Sequence, residues 1–109
     1  MESDNEVARW WRELAEAEIE RVVPKALEYG ATDLLDLGLE LARCMDRMVS
    51  DAEAIELGIY VYLRGKVARW TAAITEGREV SDDTLHDIGV YVRMAQRVRV
   101  AGGWPNEVV

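Results

Sequence analysis

The chain has 109 residues and a mass of 12.3 kDa, which is enough for one domain and too little for two. With 50% hydrophobic and 31% charged residues, it has the composition of a folded protein and not of a disordered tail. Its net charge of -8 disfavours a nucleic-acid-binding surface, where a basic excess is expected, and suits solubility and cation binding. The start, Met1-Glu2-Ser3-Asp4-Asn5-Glu6, is acidic and lacks the hydrophobic segment of a secretory signal. Ser3 and Glu6 instead read as a capping box that opens a first helix. Pro24 is expected to kink or end that helix, because it cannot donate to the Glu20 carbonyl, and Gly30 closes the segment. Thr32 caps a second helix from about Asp33 to about Met48. Ser50 and Glu53 form another capping box, starting a third helix that runs to Glu76 and stops at Gly77. Ser81 caps a fourth, with Asp82 and Asp83 in its first turn, and Gly102-Gly103 ends it. The tail from about residue 102 reads as irregular.

No segment alternates with period two for long enough to make a strand, and no apolar run approaches the ~18 residues of a membrane span. The single Cys excludes a disulfide within the chain and points to a reducing compartment. These features predict an all-α protein, one helical domain over 1–109 arranged as an antiparallel four-helix bundle. They also predict a cytoplasmic location with no nucleic acid and no membrane as partner.

Helical wheels place several acids among apolar residues. In the third helix Ala52, Ile59, Leu63, Val67, Trp70 and Ile74 fall within roughly 60° of one direction. Glu56 lies in the middle of that stripe and Glu53 at its edge. In the fourth, Asp87 shares a face with Asp83, Tyr91, Met94 and Val98, and a second strip of Leu85, Ile88, Val92 and Ala95 lies beside it. In the first, Glu18 is in line with Val7, Trp11, Leu14 and Val22. The second helix separates its faces: Leu34, Leu37, Leu41, Cys44, Met45 and Met48 on one side, and Asp36, Glu40, Arg43 and Arg47 on the other as a solvated, ion-paired face.

A carboxylate in an apolar stripe is costly unless paired, protonated or bound to metal. Two explanations follow. Acids from facing helices can converge on Mg²⁺, which prefers oxygen ligands. Alternatively, acids at helix starts satisfy the dipole, as at Glu53, Asp82 and Asp83, and Glu56 and Asp87 pair with Arg or Lys. A structural salt bridge is the expectation for Glu18. His86, about 100° from Asp87, is expected to be exposed, and Cys44 to be a buried structural thiol.

Glu53-Ala-Ile-Glu56, then 26 residues, then Asp83 and Asp87 followed by Tyr91, resembles the MazG-like all-α nucleoside triphosphate pyrophosphohydrolases. That family holds Mg²⁺ with a Glu-x-x-Glu pair on one helix and a Glu-x-x-Asp pair on the next. Lys25-Ala-Leu-Glu-Tyr-Gly30, Glu56-Leu-Gly-Ile-Tyr-Val-Tyr-Leu-Arg-Gly-Lys-Val-Ala-Arg69-Trp70 and Ser81-Asp-Asp-Thr-Leu-His-Asp87 look like segments of small MazG-like proteins of actinobacterial phages. The likeness spans about Pro24 to Gln96. It implies that Glu53, Glu56, Asp83 and Asp87 hold Mg²⁺, with Glu56 and Asp87 central to catalysis. It also implies that Lys25, Lys66 and Arg69 contact the phosphates of a nucleoside triphosphate. The chain departs from the pattern at Thr84, where the family has Glu. That departure leaves a second reading open, a non-catalytic homo-oligomeric binding module on the same scaffold. Wide apolar arcs, with Trp10, Tyr60 and Trp104 as exposed candidates, predict a homo-oligomer, a dimer first of all.

Overall fold

The computed structural model describes residues 3–28 and 32–103, and of these the side chains of 25–28 and 32 are outside the description. The described residues are all-helical, with four helices: α1 (Asp4–Glu28), α2 (Thr32–Cys44), α3 (Asp51–Thr75) and α4 (Asp82–Ala101). Among the described residues no helix is long and apolar enough to cross a membrane.

The predicted starts are met atom by atom. The Ser3 hydroxyl accepts from Glu6 N–H at 3.2 Å while the Glu6 carboxylate accepts from Ser3 N–H. The same reciprocal pair joins Ser50 and Glu53. The Ser81 hydroxyl accepts from Thr84 N–H, and Gly102 ends α4 in the left-handed region. The caps expected at Gly30 and at the Thr32 side chain, and the tail from 104 with Trp104, lie outside the described residues.

Three expectations need correction. First, α1 does not end at Pro24, one of the two outcomes expected there, but continues to Glu28. Glu20 and Pro24 are both exposed, so water is available to the carbonyl that proline leaves without a donor. Second, α2 stops at Cys44, short of Met48. Asp46 takes the left-handed conformation (φ 54°), Arg47 N–H donates to the Ala42 carbonyl, and Asp46 N–H donates to that of Arg43. This is the same reversal that Gly77 makes after α3, built on an aspartate, which tolerates positive φ better than most residues. Third, the buried face of α2 is rotated from the predicted one. Leu34, Gly38 and Ala42 are buried, whereas Cys44 and Met45 are exposed and Met48 fully so.

Small residues explain that rotation. A Cβ on Gly38 would overlap the Ala54 carbonyl, and one on Gly58 would overlap that of Leu34. The α2 and α3 backbones therefore meet directly where Gly38 faces Ala54 and Gly58 faces Leu34, with Ala42 also buried. The larger side chains flank this line and form the core beside it. Leu34, Ile55, Ile59 and Val98 are its centre, with Leu35, Ala52, Tyr91, Met94 and Ala95 packed around them. On α3 the buried face thus runs through Ala54, Ile55, Gly58 and Ile59. The predicted stripe through Val67, Trp70 and Ile74 lies on its uncovered shoulder.

Helix α4 runs antiparallel to α3, and Tyr62 stacks on Tyr91 across them at 6.0 Å between ring centres. Among the described residues, α1 is tied to α4 by polar contacts, Glu18 with His86 and Arg21 with Asp83. Val7, Trp10, Trp11 and Leu14 continue along α1 beyond those contacts and remain exposed.

Candidate functional site

The acids singled out by sequence do sit on neighbouring helices, but each has its own cationic or backbone partner. Glu56 receives two hydrogen bonds from Arg99, from Nε at 2.6 Å and from Nη2 at 3.1 Å. The Arg99 hydrogen bond holds the Glu56 carboxyl below the usual glutamate range, against the opposing effect of partial burial and with further help from the Arg99 charge. Asp87 pairs with Lys66 at 2.9 Å. Asp83 pairs with Arg21 at 3.1 Å. Glu53 holds the Ser50 N–H as part of its cap.

The α3–α4 register follows from two of these pairs. Glu56 lies level with Arg99, and Lys66 level with Asp87. Ten residues of helix, about 15 Å, therefore separate the Glu56 row from the Asp87 row. Glu53 and Glu56 are together at one end of the hairpin; Asp83 lies near the other end, at the start of α4, and Asp87 is level with Lys66 toward the middle of α3. Among the described residues, no group of three or more His, Cys, Asp or Glu side chains is placed to hold a metal ion.

What the fold does gather is a shallow cleft of about 140 Å³ lined by Arg47, Val49, Glu53, Glu56 and Leu57. The segment after α2 brings Arg47 there, because the left-handed turn at Asp46 redirects the chain past the start of α3. The first turn and a half of α3 supplies the carboxylates, one helical turn apart. Arg99 stands at Glu56 from the end of α4. The cleft lining therefore combines two carboxylates with one guanidinium-bearing residue, Arg47, and Arg99 is bonded to Glu56 from outside that lining.

These are the residue types that a metal-phosphate group would call on. Magnesium commonly takes one or two protein carboxylates and completes its shell with water and substrate phosphate oxygens. Glu53 and Glu56 are the cleft carboxylates that could take that role, Glu53 now accepting from Ser50 N–H and Glu56 from Arg99. Guanidinium groups offer forked donors to phosphate oxygens. Sequence reasoning missed Arg47 and Arg99. Arg47 had been placed on the solvated face of α2, which the helix no longer reaches.

The predicted phosphate contacts are dispersed. Lys66 is engaged with Asp87, Arg69 is exposed on α3, and Lys25 lies on α1 with its side chain outside the described residues. Thr84, where the resembling family has Glu, is buried, and its hydroxyl lies 2.9 Å from that of Ser81. His86 is not exposed as expected: its side chain is only 12% exposed, with Nδ1 2.6 Å from the Glu18 carboxylate. Glu18 makes the structural contact predicted for it.

Tyr91 borders the Lys66–Asp87 pair. Burial raises its phenol above the ordinary range, and the charges of Asp87 and Tyr62 add to the effect. Compared with known proteins, the chain matches no family model, no curated protein and no solved structure at a significant level.

Proposed function

We propose that the chain is a Mg²⁺-dependent nucleoside triphosphate pyrophosphohydrolase, converting a triphosphate to the monophosphate and pyrophosphate on an antiparallel four-helix scaffold. The observation that carries this reading is the cleft in which Glu53 and Glu56 stand one turn apart beside Arg47, with Arg99 bonded to Glu56. The resemblance of Glu53-Ala-Ile-Glu56 to the MazG-like metal-binding pair supports it. Bound there, Mg²⁺ would supply charge neutralisation on the triphosphate and a more acidic water. Glu53 and Glu56 would hold the ion, and Arg47 and Arg99 would receive phosphate oxygens that carry charge as the α–β bond breaks. In this assignment Asp83 and Asp87 keep the Arg21 and Lys66 pairs that the fold gives them.

A second reading, the non-catalytic homo-oligomeric binding module, is favoured by those same pairs. An acid already balanced by a cation does not require a metal to explain it. Pyrophosphate detection with the common ribo- and deoxyribonucleoside triphosphates, with and without Mg²⁺, separates the two. The enzyme reading expects Mg²⁺-dependent pyrophosphate from at least one nucleotide and its loss in Glu56→Gln. Absence of pyrophosphate across the whole panel would favour the binding module.

A further inference from the structure

Among the described residues the Glu56 carboxylate has one partner, and that partner takes both its oxygens. Arg99 Nε donates to one at 2.6 Å and Nη2 to the other at 3.1 Å. Glu53 is held more loosely, by the Ser50 N–H on a single oxygen at 3.3 Å. A cation entering the cleft alone therefore meets one open carboxylate edge and one carboxylate already neutralised. With Arg47 beside them, the two acids and two bases leave this corner close to neutral, so it offers a bare dication little net attraction.

Arg99 is also placed to let go. It stands in the last turn of α4, and its side chain is 75% exposed. Water screens an exposed pair, so parting it costs little. A guanidinium has more N–H donors than the two spent on Glu56. The Nη1 edge of Arg99 has no partner among the described residues, so an anion can be received there before Glu56 is released. Phosphate oxygens suit that fork as well as a carboxylate does.

We propose that Arg99 is a positioning residue with two stations. Bonded to Glu56, it keeps bare Mg²⁺ off that carboxylate. Drawn onto a phosphate oxygen, it frees Glu56 for the Mg²⁺ that the same triphosphate carries. This role rests on reading the cleft as a Mg²⁺–triphosphate site and adds a selectivity to it, for metal delivered on phosphate over metal alone. The exchange breaks and forms hydrogen bonds only, and charge stays balanced: Glu56 trades a guanidinium for a metal as Arg99 trades a carboxylate for a phosphate. Arg47 lines the cleft and makes no ion pair among the described residues, so it has no carboxylate to release.

Calorimetric titration of the full chain, with Mg²⁺ alone and with a non-hydrolysable nucleoside triphosphate in EDTA, reads the two stations separately. Arg99→Gln should bind Mg²⁺ alone about tenfold more tightly than the parent, within the ~5–150-fold span usual for coupled sites. It should bind the metal-free triphosphate several-fold more weakly. Arg99→Lys keeps the charge without the fork and should fall between the two on both counts. Adding Glu56→Gln to Arg99→Gln should remove the gain in Mg²⁺ affinity, which assigns that gain to the Glu56 carboxylate. An Arg99 that only held the end of α4 on α3 would move both affinities the same way, or neither. A parent that binds Mg²⁺–triphosphate while Arg99→Gln shows no gain for bare Mg²⁺, or no loss for the triphosphate, would overturn the two-station role and leave the reading of the cleft intact. A gain that persists in the double variant would overturn it too. A parent that takes up neither ligand, separately or together, would overturn both. Opposite shifts of the two affinities, with no pyrophosphate released from any nucleotide, would keep the role and remove the enzyme reading alone.

Discussion

Glu56 shows how one residue can satisfy two opposed accounts. From the helical wheel it is a carboxylate in an apolar stripe; in the fold it is half-exposed at the rim of a cleft, with Arg99 on both its oxygens. The depressed carboxyl has a definite pH consequence. Its contribution to stability is present above the ordinary glutamate range, about pH 4.3, and is lost as pH falls through its lower value in the fold. Acid titration of the melting temperature should therefore show a component below about pH 4.3 that disappears in Glu56→Gln. An identical acid limb in parent and variant would contradict the pair as described. Exposure keeps its size small, since solvent screens such pairs. The partner could have been found in the sequence. An antiparallel hairpin turning at Gly77 mirrors position 56 onto about 99. The same mirror places Asp87 opposite the middle of α3, which is why Glu56 and Asp87 do not meet within one chain. Wheel analysis reads direction around a helix and is blind to level along it.

At the scale of elements, the starts of α1, α3 and α4 and the stops of α3 and α4 were the most legible features, because Ser-capping and left-handed glycine signals act within four residues, whereas the ends of α1 and α2 were misplaced. The faces were less legible, because glycine was read only as punctuation. Gly38 and Gly58 are mid-helix contacts that set the α2–α3 approach, and they move the buried face of α2 away from its leucine–methionine side. Gly65 and Gly89 are mid-helix too, yet a Cβ at either would meet nothing within 4 Å. Opposite outcomes follow for one chemical change. Gly38→Ala should destabilise by about 3 kcal/mol or more, since backbones must separate to admit the methyl group. Gly65→Ala and Gly89→Ala should each stabilise by about 0.5–1 kcal/mol through helix propensity. Urea unfolding of the three variants checks this, and a neutral Gly38→Ala would show that the helices do not meet backbone to backbone. Helix α1 completes the pattern. Its stripe of Val7, Trp11, Leu14, Glu18 and Val22 was visible in the sequence, but among the described residues Glu18, with Arg21 beside it, pairs with α4 while Val7, Trp11 and Leu14 stay exposed.

For the molecule as a whole, the all-α class and its four helices were readable from periodicity and caps. The site was readable only in part. Glu53 and Glu56 stay together because one helical turn fixes their spacing whatever the tertiary fold does. Asp83, Asp87, Lys66 and Arg69 depend on the level and sidedness of packing, which no local pattern encodes. The central claim is that the Glu53–Glu56 cleft takes Mg²⁺ with a triphosphate. Thermal melting with Mg²⁺ and a non-hydrolysable nucleoside triphosphate tests it most directly. Binding to the folded state should raise the melting temperature of the parent by several degrees at saturating ligand. Glu56→Gln should abolish that rise while leaving the ligand-free melting temperature at neutral pH nearly unchanged. The same rise in both proteins, or none in the parent, would contradict the account.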